Sequence, residues 1–158
     1  TGCALSHIGR HERGSAILQQ ALEIDPSNAQ AHVALGAAQG MQGQLDDGIA
    51  RMRLGMKISP RDRRLGFWGW ALGCFLLRAG NNEEALSEAR TSVRRDPTFY
   101  LARVLEAATL DRLGREDEAR QALAAARKLR APLSLQEITL THGKRISERL
   151  ARYWGAAS

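Results

Sequence analysis

Apolar residues recur along the chain in blocks that are separated by polar turns at a nearly constant interval. Three of these blocks read "GQLDDGIARMRLGMKISP", "GNNEEALSEARTSVRRDP" and "GREDEARQALAAARKLRAP". Each block opens with glycine and polar residues, continues with apolar residues at helical spacing, and ends at a proline. The pattern predicts repeated pairs of helices, in which a glycine turn joins the first helix to the second.

Glycines and prolines mark the boundaries of these pairs. The glycines are Gly9, Gly43, Gly80 and Gly114, at intervals of 34, 37 and 34 residues. The prolines are Pro26, Pro60 and Pro97, at intervals of 34 and 37 residues. Glycine takes the left-handed conformation that ends a helix, and proline cannot continue the helical hydrogen bonds. We therefore predict a turn at each of the four glycines.

A repeat of 34 residues with this pattern resembles the tetratricopeptide repeat (TPR) family. Small residues at fixed positions carry the resemblance: Gly36, Gly73 and Ala107 in the first helices, Ala85 and Ala119 in the second. The resemblance implies an all-α fold, a right-handed superhelix of antiparallel helix pairs. It divides residues 1–132 into a partial repeat 1–28 and the repeats 29–62, 63–99 and 100–132.

Several second helices carry glycine where alanine is usual in the TPR family, among them Gly48. Glycine inside a helix costs about 1 kcal/mol relative to alanine. We therefore expect the substitution Gly48→Ala to raise the melting temperature.

Residues 133–158 leave the repeat pattern. Their apolar residues predict two short helices split near Gly143. Because repeat arrays need a terminal element with a polar outer face, we interpret them as capping helices. The alternative is a tail that docks elsewhere, with Trp154 as its anchor.

The stretch "RLGFWGWALGCFLLR", residues 64–78, holds four of the eight aromatic residues. Its uncharged run is 13 residues long, whereas a membrane span needs about 20. We therefore predict no membrane span. Phe67, Trp70 and Cys74 share one helical face. This face could be part of the core or the floor of a ligand groove, and both alternatives stay open.

The TPR resemblance implies that first helices line a concave groove. The groove positions would be Val33, Ala37, Met41, Phe67, Trp70, Cys74, Arg78, Val104, Ala108, Asp111 and Arg112. TPR domains that bind acidic chaperone tails carry Lys, Asn and Arg at such positions, whereas most of these are apolar. We expect an apolar peptide or helix as the ligand.

No constellation of residues indicates catalysis or metal binding. His7 and His11 have the spacing of a metal pair, but a turn is predicted between them and no third ligand is near. Cys3 and Cys74 lie two repeats apart, beyond the reach of a disulfide. Free thiols favour a reducing, cytoplasmic location. We expect no enzyme activity and no cofactor.

The formal net charge is +6, and the densest basic stretch, residues 51–64, has six cations and one acidic residue. No aromatic residues that could stack on bases are interleaved within it. An acidic protein partner is therefore favoured over nucleic acid.

A narrower resemblance concerns "SPRDRRLGFWGWALGCFLLRAGNNEEAL" and "DPTFYLARVLEAATLDRLGREDEARQAL". Both are similar to C-terminal TPR regions of bacterial class III adenylate/guanylate cyclases, and similar regions follow winged-helix domains in some transcription regulators. The matching residues are Ser59, Pro60, Asp62, Trp68, Pro97, Phe99, 113–115 and 117–120.

The resemblance implies a regulatory interaction module in a longer bacterial signalling protein, whose partner could be a domain of the same polypeptide. The alternatives are a stand-alone adaptor or chaperone that binds an apolar segment, and self-association through the concave face or the open N-terminal face. At the N-terminal face we expect an upstream element to cover apolar surface at Leu5 and Ile8.

Overall fold

The computed structural model describes the backbone of residues 2–156 and the side chains of residues 13–155. Within these limits all regular structure is helical, which confirms the predicted all-α class of antiparallel helix pairs. The helices are α1 (Gly2–Ile24), α2 (Ala29–Met41), α3 (Leu45–Ile58), α4 (Leu65–Arg78), α5 (Asn82–Arg95), α6 (Tyr100–Arg112), α7 (Glu116–Leu129), α8 (Leu135–His142), α9 (Lys144–Leu150) and a 3₁₀ helix (Ala151–Ala156).

The chain divides into two compact units, which we call the N-terminal unit (residues 1–68) and the C-terminal unit (residues 69–158). Helix α4 contributes its first residues to the N-terminal unit and the remainder to the C-terminal unit. Close contacts at glycines pack the N-terminal unit, whereas buried alanines and aliphatic residues pack the C-terminal unit.

Three of the predicted glycine turns are present. Gly43, Gly80 and Gly114 have φ angles of +91°, +85° and +74°, in the left-handed region. In each turn the amide of the next residue bonds to a carbonyl five residues back, at 2.9–3.0 Å. This hydrogen bond closes the end of the first helix, so the repeated glycine marks the repeated turn.

The turn predicted at Gly9 is absent, because helix α1 runs without a break from Gly2 to Ile24. A helix restricted to the residues before Gly9 would have about two turns, which is too short to be stable alone. Continuing through Gly9 keeps the backbone hydrogen bonds that a turn would remove.

Helices α2 and α3 of the N-terminal unit approach each other through glycines. A Cβ atom added to Gly48 would lie 2.5 Å from the carbonyl oxygen of Gly36 and 2.8 Å from the amide nitrogen of Gly40. A Cβ at Gly55 would lie 2.7 Å from the carbonyl oxygen of Ala29. The expectation that Gly48→Ala stabilises the chain is therefore wrong, since the methyl group would collide with backbone atoms that cannot rotate away.

Alanines and aliphatic residues form the core of the C-terminal unit. Ala107, Ala119 and Ala126 are fully buried where α6 and α7 pack together. One guanidinium joins three helices: Arg90 of α5 contacts Glu106 of α6 at 3.2 Å and Glu118 of α7 at 3.1 Å. Because the Glu106 side chain is nearly buried, these contacts satisfy a carboxylate that would otherwise be costly to bury.

The C-terminal segment, which we define as residues 133–156, contains the two short helices predicted there. Gly143, with φ of +92°, separates α8 from α9 as expected. The Ser134 hydroxyl accepts a hydrogen bond from the Glu137 amide at 3.1 Å and so starts α8. Ile138, Leu150 and Tyr153 are at most 4% exposed, so this segment belongs to the core of its unit. The 3₁₀ helix at its end was not predicted.

Candidate binding surface

The predicted groove residues of the N-terminal unit differ sharply in exposure. Val33 is buried and Ala37 is half-buried, whereas Met41 is 59% exposed and Phe67 is 54% exposed. Trp68, which follows Phe67, is buried at 5% exposure. Phe67 therefore belongs to the surface rather than to the core. Among the predicted groove positions of this unit, the exposed ones are two large apolar side chains.

Trp70 of the C-terminal unit packs against the C-terminal segment. Its indole N–H donates a hydrogen bond to Nε2 of His142 at 3.1 Å. Its ring also meets the rings of His142 and Phe99 edge to face, with centroids 5.7 Å apart in both pairs. Such pairs are favourable beyond the area that they bury. Trp70 is thus half-buried by residues of its own unit.

The neighbours of His142 place its imidazole between a donor and an acceptor. Nε2 lies 3.1 Å from the indole nitrogen of Trp70, which can only donate, and 3.2 Å from the carbonyl oxygen of Leu101, which can only accept. In a neutral imidazole Nε2 can satisfy one of these two partners, while Nδ1 lies 2.8 Å from the Thr141 hydroxyl oxygen. That hydroxyl in turn donates to the carbonyl of Glu137 at 2.9 Å. Burial lowers the pKa of His142 from 6.5 to about 4, so the imidazole is neutral at pH 7.

Three further predicted groove positions are Cys74, Arg78 and Arg112, which carry a thiol and two guanidinium groups. Cys74 is free and half-buried, and desolvation raises the pKa of its thiol to about 12. It is therefore protonated and a poor nucleophile. Arg78 and Arg112 are exposed, and the Arg78 guanidinium lies 5.7 Å from the Phe75 ring. These groups do not form a reactive site.

The predicted groove face of α6 is covered. Val104, Ala108 and Asp111 are at most 4% exposed. They share one helical face with Leu101, because the four residues follow helical spacing. The C-terminal segment contacts both ends of this face: the His142 imidazole lies 3.2 Å from the Leu101 carbonyl oxygen, and three other side chains reach Asp111.

Asp111 contacts three side chains of the C-terminal segment. Its carboxylate accepts hydrogen bonds from Nε of Arg149 at 2.5 Å, from the Tyr153 hydroxyl at 2.8 Å and from Arg152. The Asp111 side chain is 1% exposed, whereas both arginine side chains are 46% exposed. The carboxylate is therefore removed from water and paired within the chain, and it is not available to a ligand.

Sequence reasoning did not identify Arg149, Arg152, Tyr153 or His142 as contacts of the groove face. A signal was present, because the tail "RLARYW" places two arginines beside aromatic residues while α6 carries an acidic residue at a predicted inward position. Charge complementarity between Asp111 and this tail could have indicated the contact.

Within residues 13–155 no group of three or more His, Cys, Asp or Glu side chains could hold a metal ion. His7, His11, Cys3, Leu5 and Ile8 lie outside the residues whose side chains are described. None of the helices in the described part of the chain combines the length and the apolar content that crossing a membrane requires.

Two family models match the sequence, and both describe TPR repeats. Residues 76–152 match the model of the Psidin N-terminal TPR repeats region, and residues 9–43 match a TPR repeat model. No curated protein matches the sequence.

Solved structures share the fold over most of the chain. A crystal structure of MamA has a TM-score of 0.73 at 17% identity, covering 95% of this chain and 88% of that chain. The structure of YrrB, described as "a TPR protein with an unusual peptide-binding site", has a TM-score of 0.69 at 20% identity, covering 96% of this chain and 80% of that chain. A further MamA structure, MamA AMB-1, has a TM-score of 0.70 at 21% identity, covering 98% and 88% of the two chains.

The structural likeness shows that this chain has the TPR fold. Together with the two family models, it supports the TPR repeat family and the general role of that family as protein–protein interaction modules.

Proposed function

We propose that this chain is a non-catalytic TPR module that binds an apolar segment of a protein partner through its N-terminal unit. The exposure of Met41 and Phe67, both at predicted groove positions, carries the proposal. Large exposed apolar side chains in a groove can anchor the apolar face of a peptide or helix. The likeness to YrrB, whose description includes a peptide-binding site, supports a peptide as the ligand.

Three predicted groove residues of α6 are buried, which is why we place the binding surface in the N-terminal unit. Val104 and Ala108 are covered, and Asp111 is paired with the end of the chain. A partner that contacted this face would have to displace several buried side chains first. Met41 and Phe67 are 59% and 54% exposed, so a partner can contact them at the surface.

The test is a selection from a displayed library of random peptides. We expect the wild-type chain to enrich peptides with several Leu, Ile, Phe or Val residues. The double variant Met41→Ser/Phe67→Ser should bind the enriched peptides at least about tenfold more weakly, because each anchor contributes apolar contact area. Fluorescence anisotropy with one labelled peptide measures the two affinities.

Leu140→Ser is the matched control, since Leu140 is 81% exposed but lies in the C-terminal unit, outside the predicted groove. It should leave affinity unchanged. Equal binding by wild type and the double variant would contradict the proposal, as would enrichment of charged peptides alone. Circular dichroism should give the same helical signal for all variants, because both substituted residues are exposed.

We further propose that the chain is cytoplasmic, with the repeat boundaries predicted above, and that it forms the C-terminal part of a bacterial signalling protein such as a nucleotidyl cyclase. The similarity of "SPRDRRLGFWGW" and "LGREDEAR" to cyclase TPR regions supports this parent. Sequencing the coding DNA upstream of Thr1 tests it. A cyclase domain there would support the proposal, whereas a winged-helix domain or a short leader would overturn it in favour of a transcription regulator or a stand-alone adaptor.

A further inference from the structure

The outer face of α3 exposes two aliphatic side chains in the N-terminal unit. Leu54 is 46% exposed and Ile58 is 36% exposed. Their spacing of four residues places them next to each other on one side of the helix. The opposite side packs into the unit, where Ile49 and Met52 are buried. Leu54 and Ile58 are therefore partly buried, and their exposed portions form a small apolar patch on α3.

Exposed cations lie close to these aliphatic residues in the sequence. Lys57 is exposed between Leu54 and Ile58, and the turn after α3 exposes Arg61 and Arg63. Within residues 13–155 no acidic side chain forms an ion pair with Lys57, Arg61 or Arg63.

The one acidic residue of this stretch is already paired. Asp62 lies 2.7 Å from the Arg64 guanidinium. Hydrogen bonds from Arg64 lower the pKa of Asp62 to about 2, so the carboxylate stays ionised and paired. It therefore neutralises Arg64, and among the side chains of residues 13–155 no acidic partner compensates Lys57, Arg61 or Arg63.

We propose that these residues form a second interaction surface, which binds an amphipathic protein segment with acidic residues beside its apolar face. We call it the α3 surface and define it by Leu54, Lys57, Ile58, Arg61 and Arg63. Charge complementarity selects the acidic residues of the partner, and the aliphatic pair selects apolar residues one helical turn apart. The inference goes beyond the proposed function, because it uses neither Met41 nor Phe67.

The shape of the α3 surface favours a protein segment over a membrane. Insertion into a lipid surface requires an apolar face that enters the headgroup boundary by about 5–10 Å. Leu54 and Ile58 are 46% and 36% exposed, so the apolar face that they present is small for insertion into a lipid surface. Nucleic acid is disfavoured because no aromatic residue lies between residues 51 and 64 to stack on bases.

The end of α5 offers a matched comparison within the same chain. In the repeat pattern Arg94 corresponds to Lys57, while Thr91 and Arg95 correspond to Leu54 and Ile58. The end of α5 is thus basic like the α3 surface but lacks the aliphatic pair. A variant at Arg94 separates binding at the α3 surface from a general effect of positive charge.

The experiment uses the full chain and a labelled synthetic helix of about 18 residues, with leucines one turn apart and glutamates beside them. The double variant Lys57→Glu/Arg61→Glu should bind about tenfold more weakly, since opposite charges become like charges. Leu54→Gln/Ile58→Gln should lose about fivefold through lost apolar contact. Arg94→Glu should stay within about twofold of wild type, and so should Met41→Ser/Phe67→Ser.

Four results would overturn the proposal. A peptide of the same composition with its leucines spread over all faces could bind equally well, which would show that binding depends on charge alone. Arg94→Glu could weaken binding as much as Lys57→Glu/Arg61→Glu. Vesicles of phosphatidylserine and phosphatidylcholine could bind the chain and lose binding with the α3 variants, which would assign the surface to a membrane. If only Met41→Ser/Phe67→Ser lost peptide binding, the acidic peptide would bind at the predicted groove of the proposed function and not at the α3 surface.

Discussion

The helix pairs α2–α3 and α6–α7 occupy equivalent places in the repeat pattern but pack by different means. Gly36, Gly48 and Gly55 of the first pair correspond to Ala107, Ala119 and Ala126 of the second. In α2–α3 the backbones themselves touch, since a Cβ on Gly36 would lie 2.6 Å from the Gly48 carbonyl oxygen. In α6–α7 buried methyl groups fill the same positions.

The same comparison extends to the surfaces of the two pairs. Met41 of α2 and Arg112 of α6 also correspond in the repeat pattern, as do Gly40 and Asp111. Asp111 gives the second pair a charged attachment point for the C-terminal segment, whereas Gly40 has no side chain to hold a covering element. Met41 is therefore an exposed apolar side chain at a predicted groove position, whereas the C-terminal segment covers Asp111 in the equivalent helix.

Removing the charge at Asp111 should have the largest effect on this difference. Asp111→Ala deletes a carboxylate that accepts bonds from three side chains of the C-terminal segment. Breaking a buried ion pair costs about 3–5 kcal/mol, and we expect about 3 because both arginines are half exposed and can be hydrated. Urea unfolding measures the loss, and hydrogen exchange should show faster exchange in α9.

Asp117→Ala is the control for this prediction. Asp117 also pairs with an arginine in the C-terminal unit, at 2.8 Å, but its side chain is 91% exposed. Exposed pairs contribute little, so the change should be within about 0.5 kcal/mol. An effect equal to that of Asp111→Ala, or unchanged exchange in α9, would show that the Asp111 contacts do not hold the segment.

Acidification should weaken the C-terminal unit through His142. The folded state keeps His142 neutral because burial lowers its pKa to about 4, whereas in the unfolded state it titrates near 6.5. Below pH 6.5 the unfolded state binds the proton first, so the free energy of unfolding falls as pH falls towards 4. At about 1.4 kcal/mol per pH unit, the loss between pH 7 and pH 5 is about 2 kcal/mol.

His142→Gln isolates this contribution, because glutamine can accept from Trp70 and does not titrate. The difference in unfolding free energy between wild type and variant should shrink by about 2 kcal/mol on going from pH 7 to pH 5. A difference that stays constant over this range would mean that His142 is not buried in its neutral form.

Exchanging glycine and alanine between the two pairs tests the packing difference itself. Gly48→Ala should lower the unfolding free energy by about 1–2 kcal/mol, since overpacking against backbone outweighs the gain in helix propensity. The reverse exchange, Ala119→Gly, should also be destabilising by about 1–2 kcal/mol, because it removes a buried methyl group and loosens α7. Thermal unfolding followed by circular dichroism measures both, and a raised melting temperature for Gly48→Ala would contradict the close contact with Gly36.

The repeat pattern predicted much of the local structure and little of the tertiary contacts. Gly43, Gly80 and Gly114 specify their turns locally, through the left-handed backbone that each turn requires. Gly9 has the same sequence signal but lies inside α1, because a turn also depends on whether the preceding helix is long enough to stand alone. The effect of Gly48→Ala depends on distances between helices, which no local pattern contains.

The candidate site also has a part that the sequence predicted and a part that it did not. Helical spacing placed Phe67, Trp70 and Cys74 on one face, but could not decide which of them would be accessible. That depends on contacts such as the one between Trp70 and His142, which are 72 residues apart in the sequence. A residue pair that distant leaves no periodic signal, so the covering of α6 emerged only from the structure.

The smallest expected effect concerns a glycine without close neighbours. A Cβ added to Gly14 of α1 would have no atom within 4 Å, in contrast to Gly48. Gly14→Ala should therefore gain up to about 1 kcal/mol through helix propensity alone, and thermal unfolding should show a slightly raised melting temperature. If Gly14→Ala stabilises the chain while Gly48→Ala destabilises it, the opposite signs follow from helix contact, since the chemical change is identical. A loss of stability with Gly14→Ala would show that α1 makes close contacts at Gly14 as well.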